Sequence, residues 1–549
     1  MTSPTPPPAY SPALGWLLAV PALLGTLISL VLPTVQTIWL SLQSGGVMRE
    51  SSYVGVSNYT ELLGEGDFWR ALGFTLSLTV IPLLVAVVVG PLLALALDRA
   101  GTWPRRAGRV VLSLAVVTFS PVAVAGAWTQ GLRQDASGLV ALAEGLREPA
   151  TAPGTLRLVV AAATFGVVCA LAVITFLPAL RGGTAGPATF AVGALVALAT
   201  VAVGLQAFSI GLVLTRGGPQ RSTETLAGLQ YHYAFRLAEF GPGAAVAALT
   251  GVILGVLGIV ATVIAIATRL RLTVTPRTAT PTGPFGSQPA HDGSGPPDRG
   301  APGAVGVAVG VVALIVVVAV ALLCAWPWAD GVLASPDTPA GDLRAQVNTW
   351  VPALAGALVS VGVAYLAALG IGGLRPLGRG SEWLLLAFAP WLFVGPGPLG
   401  VANWQNIRNL GLIDSLPALI PPLLVSVPAL FVLTLLCKGL AERTDRDFFG
   451  GVFLPSLPMA GILTGAVTLV NAHDLLWPML VAQNPALFTT PVAQVNQLSG
   501  FNTSAPDVGA ATPLLVVAVA LVALVAAQLL YLDRLAIAAN DSRVRTRAA

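Results

Sequence analysis

An amide, an imidazole and a carboxylate stand close together at Asn471, His473 and Asp474, inside an apolar run from about 452 to 480. A charge at the centre of a bilayer costs about 3 kcal/mol or more unless it faces protein or water. Asn471 and Asp474 have the i,i+3 spacing that shares one helix face, whereas adjacent helical side chains such as His473 and Asp474 diverge by about 100°. The chemistry open to the pair is hydrogen bonding to a hydroxyl-rich solute on a path through the membrane. The competing use is a polar contact that glues helices together. Gln206 and Ser209 repeat the i,i+3 spacing in another apolar run. They are expected either to oppose the first pair across a pseudo-two-fold axis or simply to pack.

Other chemistries find no support in the residues. The only lysine, Lys438, lies in Leu-Cys-Lys-Gly rather than in a Gly-rich phosphate loop, so any ATP hydrolysis must come from another polypeptide. The three histidines, His232, His291 and His473, form no nucleophile–base set. Cys169, Cys324 and Cys437 all sit in apolar runs, with neither disulfide nor metal-ligand spacing. The expectation is no catalytic residue, no metal and no cofactor.

The elements that must position these groups are membrane helices. Hydrophobic residues make up 55% of the 549 and charged residues only 9%, where soluble domains carry about 25% charged. No nucleic-acid footprint accompanies a net charge of +4. A bilayer needs roughly 20 apolar residues per helix, and runs of that kind fall at 13–42, 70–98, 110–130, 156–180, 189–215 and 243–268. Six more fall at 303–326, 349–373, 382–399, 415–437, 452–480 and 508–531. The predicted fold is therefore all-α and polytopic, with about twelve spans as two six-helix pseudo-repeats: residues 1–270 and 303–549, joined by a flexible Pro/Gly-rich linker at 271–302. Most of the 28 basic residues fall on one side of that arrangement, which places both termini in the cytoplasm. Each half also brings a short Thr-containing strip before its last helix, Ser222-Thr-Glu-Thr-Leu226 and Phe488-Thr-Thr-Pro-Val492, followed by a Gly-Ala-Ala entry.

Several motifs carry a family resemblance. Tyr53-Val-Gly-Val-Ser-Asn-Tyr59 with Asp67-Phe-Trp-Arg-Ala-Leu72, and Leu214-Thr-Arg-Gly-Gly-Pro219 with Ser222 to Leu226, resemble the larger permease subunit of carbohydrate importers of the ABC class. Asn348-Thr349, Leu410-Gly-Leu-Ile-Asp-Ser415 and Leu476-Trp-Pro478 resemble the smaller subunit. The resemblance implies a type I ABC importer permease with both subunits fused in one chain, carrying a sugar or polyol. It implies cytoplasmic ABC ATPase subunits and an external solute-binding lipoprotein as partners. That lipoprotein would dock on Gly217, Gly218, Pro219, Thr223, Glu224 and Thr225.

The chain departs from the family at its cytoplasmic loops. Family permeases insert a short Glu-Ala-Ala helix into the ATPase. The first half offers only Arg181-Gly-Gly-Thr-Ala-Gly-Pro187, too rich in Gly and Pro for a helix. The second offers Lys438-Gly-Leu-Ala-Glu-Arg-Thr-Asp-Arg-Asp-Phe448, in which Glu442, Arg443, Asp445 and Arg446 are the candidate ATPase contacts. Two other readings stay open. One is a permease-derived scaffold or regulatory subunit that no longer couples to an ATPase. The other is a twelve-span secondary transporter, because Leu97-Asp-Arg-Ala-Gly101 with Arg105 and Arg106 resembles the cytoplasmic turn of the major facilitators.

Overall fold

The computed structural model describes residues 12–46, 49–133, 140–182, 185–274, 303–333, 342–443, 447–499 and 508–539. Long Leu/Val/Ala runs become helices because a lipid-facing backbone must satisfy its own hydrogen bonds. Before the linker these are α1 (Pro12–Ser41), α2 (Asp67–Arg99), α3 (Thr102–Val117), α4 (Pro121–Arg133), α5 (Ala152–Arg181), α6 (Ala185–Leu205), α7 (Ser209–Leu214), α8 (Leu226–Tyr231) and α9 (Phe240–Ala267). After it come α10 (Ala304–Leu333), α11 (Leu343–Leu374), α12 (Gly400–Asn409), α13 (Val427–Ala441), α14 (Leu454–Ala472), α15 (Leu476–Val481), α16 (Thr490–Ser499) and α17 (Leu514–Leu530).

Among the described residues nine helices are long and apolar enough to cross a membrane, ten if the bent pair α3–α4 counts as one. The described residues therefore do not confirm the expected twelve, and four expected spans differ from the structure. Residues 110–130 are not one straight helix: Ser120-Pro121 interrupts the run and the axis turns by 74° between α3 and α4. Residues 382–399 are not a span. Pro390, Gly395, Pro396, Gly397 and Pro398 leave too few donors for an α-helix, and the chain folds into 3₁₀ turns at Gly378–Ala387 and Ala389–Trp391. The run 415–437 yields only the 15-residue α13, because Pro421 and Pro422 hold the preceding segment irregular. The run 452–480 breaks at 473–475.

The chain is also not wholly α. A ribbon of β1 (Gln43–Gly46) and β2 (Arg49–Tyr53) follows α1. A second antiparallel ribbon joins β3 (Arg271–Val274), the start of the expected linker, to β4 (Leu535–Ala538), beyond the last helix. The rest of the linker and the two chain ends lie outside the described residues.

The parts of the chain before and after the linker exchange their first helices. Helix α1 packs on α11 and not only within its own half; Gly15 meets Pro376, Gly25 meets Val425, and Ser29 Oγ accepts the Leu424 N–H. In return α10 packs on α2, α4 and α5, with Gly310 against the Ala96 carbonyl. The 3₁₀ segment is held against α9, where Gly258 leaves room for the Ala389 carbonyl, while Trp391 Nε1 donates to Thr34 Oγ1 of α1. One continuous buried core accordingly runs from Ala19 and Val173 through Val361 and Leu430 to Leu535.

Candidate functional site

Two helices break at equivalent places. Helix α6 ends at Leu205 and α7 starts at Ser209; α14 ends at Ala472 and α15 starts at Leu476. The predicted polar residues occupy these two breaks. Gln206 does not face Asn471 or Asp474. Its Nε2 donates to the Ala202 and Phe393 carbonyls, and its Oε1 accepts the Gly395 N–H at 2.8 Å. It therefore ties the first break to the Pro/Gly segment of the other half. Ser209 is the first residue of α7.

At the second break, Asp474 lies beyond the end of α14 and so shares no helix face with Asn471. Its two carboxylate oxygens accept the N–H groups of Leu476 and Trp477, at 3.2 and 3.3 Å, which caps the orphan donors of α15. Asn471 Nδ2 donates to the Ala353 carbonyl of α11 at 3.2 Å. The His473 ring stands edge-on to Trp350, with centroids 6.0 Å apart, and its Nδ1 has no hydrogen-bond partner among the described residues. Trp477 donates to the Ala418 carbonyl.

The glycine-rich loop at 215–225 forms a shallow cleft with α7 and α8, lined by Phe208, Arg216, Glu224, Tyr231, His232 and Arg236. Gly217 holds φ +84°, a left-handed conformation that suits glycine, and the Glu224 carboxylate fills the space beside it. Gly218 and Pro219 continue this turn, with the Gly218 carbonyl accepting from Thr223 Oγ1 at 2.7 Å. The same hydroxyl bonds Thr215. Thr225 caps α8 by accepting the Gly228 N–H, and Thr75 Oγ1 of α2 accepts the Leu226 N–H. Arg221 bonds Asp67 at 2.9 Å. The six predicted docking residues are thus one rigid loop pinned to the start of α2.

Burial raises the Glu224 carboxyl from 4.5 to about 6, against the opposing pull of Arg221 and Arg236. An acid whose folded pKa is raised carries its penalty when ionised. The loop is therefore expected to lose stability as pH rises through the window from 4.5 to about 6, and to stay at the lower level above it. Hydrogen exchange of residues 222–230 at pH 4 to 8 measures this. A pH dependence that survives Glu224→Gln unchanged would remove Glu224 as its source.

On the opposite face α5 ends at Arg181 and α6 begins at Ala185, so Ala185, Gly186 and Pro187, expected in the connection, instead open α6. In the second half, Glu442 accepts from Arg271 at 3.0 Å and from Arg375 at 3.4 Å. Arg443 donates to the Val274 carbonyl. Two of the four candidate ATPase contacts are therefore engaged within the chain, and Asp445 and Arg446 lie outside the described residues. Lys438, buried at the end of α13, pairs with Glu382.

Sequence reasoning missed the centre of this face. Arg105, Arg106, Arg109 and Arg181 converge on Asp533 at 3.3, 3.4, 3.1 and 3.4 Å. The arginines at 99–109 enter the sequence reading only as basic residues of one membrane side and as part of a turn motif, yet Arg109 is 2% exposed. The one available cue was Asp533 itself, an acid closing an otherwise apolar last helix.

No family model matches the chain. Curated relatives do. They include a multiple sugar-binding transport system permease protein of Streptococcus mutans, 27% identical over 45% of this chain and 92% of that protein. An alpha-glucoside transport system permease protein of Rhizobium meliloti is 27% identical over 42% of the chain and 76% of its own length. A trehalose/maltose transport system permease protein of Thermococcus litoralis is 27% identical over 44% and 89%. Along somewhat under half of its length, then, this membrane protein is a homologue of the permeases of ABC-class sugar-transport systems.

Proposed function

We propose that the chain is the permease component of a sugar importer and carries two permease units in one polypeptide. The observation that carries this reading is the fit of whole relatives into part of the chain. Some 92% of one permease aligns within 45% of these residues, so the chain is long enough for two such units, and each side of the linker carries its own broken helix, at 206–208 and at 473–475. The exchange of α1 and α10 between the halves supports a single body rather than two independent ones. In this reading the loop at 215–225 and the turn at 410–415 face outward and receive a solute-binding protein. That turn is fixed by Asp414, whose Oδ1 accepts the N–H groups of Gln483 and Asn484. Both termini and the linker are cytoplasmic, where a separate ATPase supplies the energy.

The test is uptake of radiolabelled maltose, trehalose and methyl α-glucoside by bacterial cells that express the chain with a candidate ATPase and a candidate solute-binding protein. Accumulation that depends on the chain and on ATP is the expected result. Correctly inserted protein that supports no uptake and retains no ATPase on purification would replace this reading by the second one. That second reading, a permease-derived scaffold, is favoured by the short stretch of sequence between the end of α5 at Arg181 and the start of α6 at Ala185, too few residues for a coupling helix.

A further inference from the structure

The two cytoplasmic coupling positions, the C-terminal ends of α5 and α13, are both covered, and by the same small ribbon. Strand β3 is the tail of the first half, yet it lies on α13 of the second half. Strand β4 is the tail of the second half, yet it lies on α5 of the first. Between the two helices the strands pair with each other in register, Leu272 opposite Ile537 and Thr273 opposite Ala536. Each half thus reaches across to the other, and the two tails hydrogen-bond in the middle.

The fit on the two helices is alike. At the end of α5 a Cβ on Gly182 would overlap the Ile537 carbonyl oxygen; in the last turn of α13 a Cβ on Gly439 would overlap the Leu272 carbonyl oxygen. A strand carbonyl pressed on a helix-end glycine, once in each half, is the same contact made twice. Polar links anchor both sides. Arg181 at the end of α5 donates to the Asp533 carbonyl just before β4, and Arg443 after α13 donates to the Val274 carbonyl of β3. Arg271 of β3 adds its ion pair to Glu442. Leu272, Leu535 and Ala539 are buried in the main core together with Cys437 and Leu440, so the ribbon is packed in and does not lie loosely on the surface.

We propose that the β3–β4 ribbon is a clasp, made by exchange of the two tails, that fixes the separation between the ends of α5 and α13 and makes the coupling face of the chain one unit. The proposal goes beyond the transport reading and does not depend on it. Its consequence for that reading is mechanical. A motor protein on this face meets the ribbon and both helix ends together, and cannot grip a separate helix from each half. A two-stranded ribbon this short is marginal by itself; its hold comes from burial against both helices, and that is why each glycine matters.

The experiment uses the full chain in nanodiscs of phosphatidylethanolamine and phosphatidylglycerol, with Cys169, Cys324 and Cys437 replaced by alanine. Spin labels go on cysteines at Phe190 and Phe449, two exposed positions near the starts of α6 and α14. Pulsed dipolar spectroscopy is expected to give one narrow distance distribution in this parent. Gly182→Val with Gly439→Val, which drives both strands off their helices, is expected to broaden that distribution and move it to longer distances. Truncation after Arg534, which removes β4 outright, is expected to do the same and serves if the glycine variants fail to fold. In a separate sample, Leu272→Cys with Ile537→Cys and a protease site inserted in 275–302 reports the ribbon itself: oxidation should keep the cleaved halves as one band on a denaturing gel. A folded truncated chain with the parent's narrow distribution would overturn the clasp, as would a parent in which the two cysteines never cross-link.

Discussion

Asp533→Ala is expected to abolish accumulation of folded protein, the largest effect of any single change considered. Asp533 is the one carboxylate that four guanidiniums share, and its side chain is 9% exposed while that of Arg109 is 1% exposed. Asp98 approaches Arg105 only at 3.7 Å and cannot replace it. Removing one partner from a buried ion pair costs about 3–5 kcal/mol because the remaining charge stays desolvated. Here Arg105 and Arg109 would be left so, whereas the more exposed Arg106 can turn to water. Asp533→Asn retains an oxygen acceptor for Arg109 and should fall between the parent and the alanine variant. Arg109→Leu together with Asp533→Ala removes the deepest stranded charge and should recover part of the loss. Detergent-extracted yield and melting temperature of the four proteins measure the series. An alanine variant with the parent's melting temperature would mean that the cluster is solvated in the membrane and contributes little.

This cluster shows why one part of the fold was legible in the sequence and another was not. A span announces itself by a run of about 20 apolar residues, a local property, and α1, α2, α5, α9, α11 and α17 lie where the runs lie. The failures are also local in cause. At 382–399 the hydropathy was right but Pro390, Pro396 and Pro398 prevented a helix, so an apolar stretch became a packed 3₁₀ segment whose backbone bonds go to Gln206 and to its own turns. The contacts between distant segments carry no comparable mark. Asp533 and Arg105 are more than four hundred residues apart, and the four-residue strands β3 and β4 are separated by most of the second half. Neither pairing has a periodicity to read. The polar residues were found because an amide or carboxylate in an apolar run is conspicuous, but their partners decide their work. Asp474 was placed on a helix face; the break at 473–475 instead puts it at the start of the next helix.

The last comparison sets the two breaks against each other, and Gln206→Leu is expected to cost more than Asp474→Leu although only the latter removes an ionisable group. Among the described residues Gln206 is the sole side-chain acceptor for the Gly395 N–H, and it donates to the Phe393 carbonyl, both in a segment whose prolines already deny it regular backbone bonds. Leucine would leave those two partly buried groups without their partner. A fully buried group so orphaned costs about 1–3 kcal/mol, so these two partly buried ones should together lose about 2 kcal/mol. Because Gln206 belongs to one half and the segment to the other, the loss falls on their association. Asp474 works within its own break. It caps a six-residue helix, and loss of a cap costs about 0.5–2 kcal/mol; Asp474→Asn, whose single amide oxygen keeps one of the two N–H groups, should lose part of that. Gln206→Glu keeps the acceptor for Gly395 but turns a donor toward Phe393 into a second acceptor, and should resemble the leucine variant. Thermal unfolding of the purified proteins in one detergent measures the order. If Asp474→Leu proves the more damaging, its carboxylate does more than cap α15, and a role on the transport path becomes the better account of that residue.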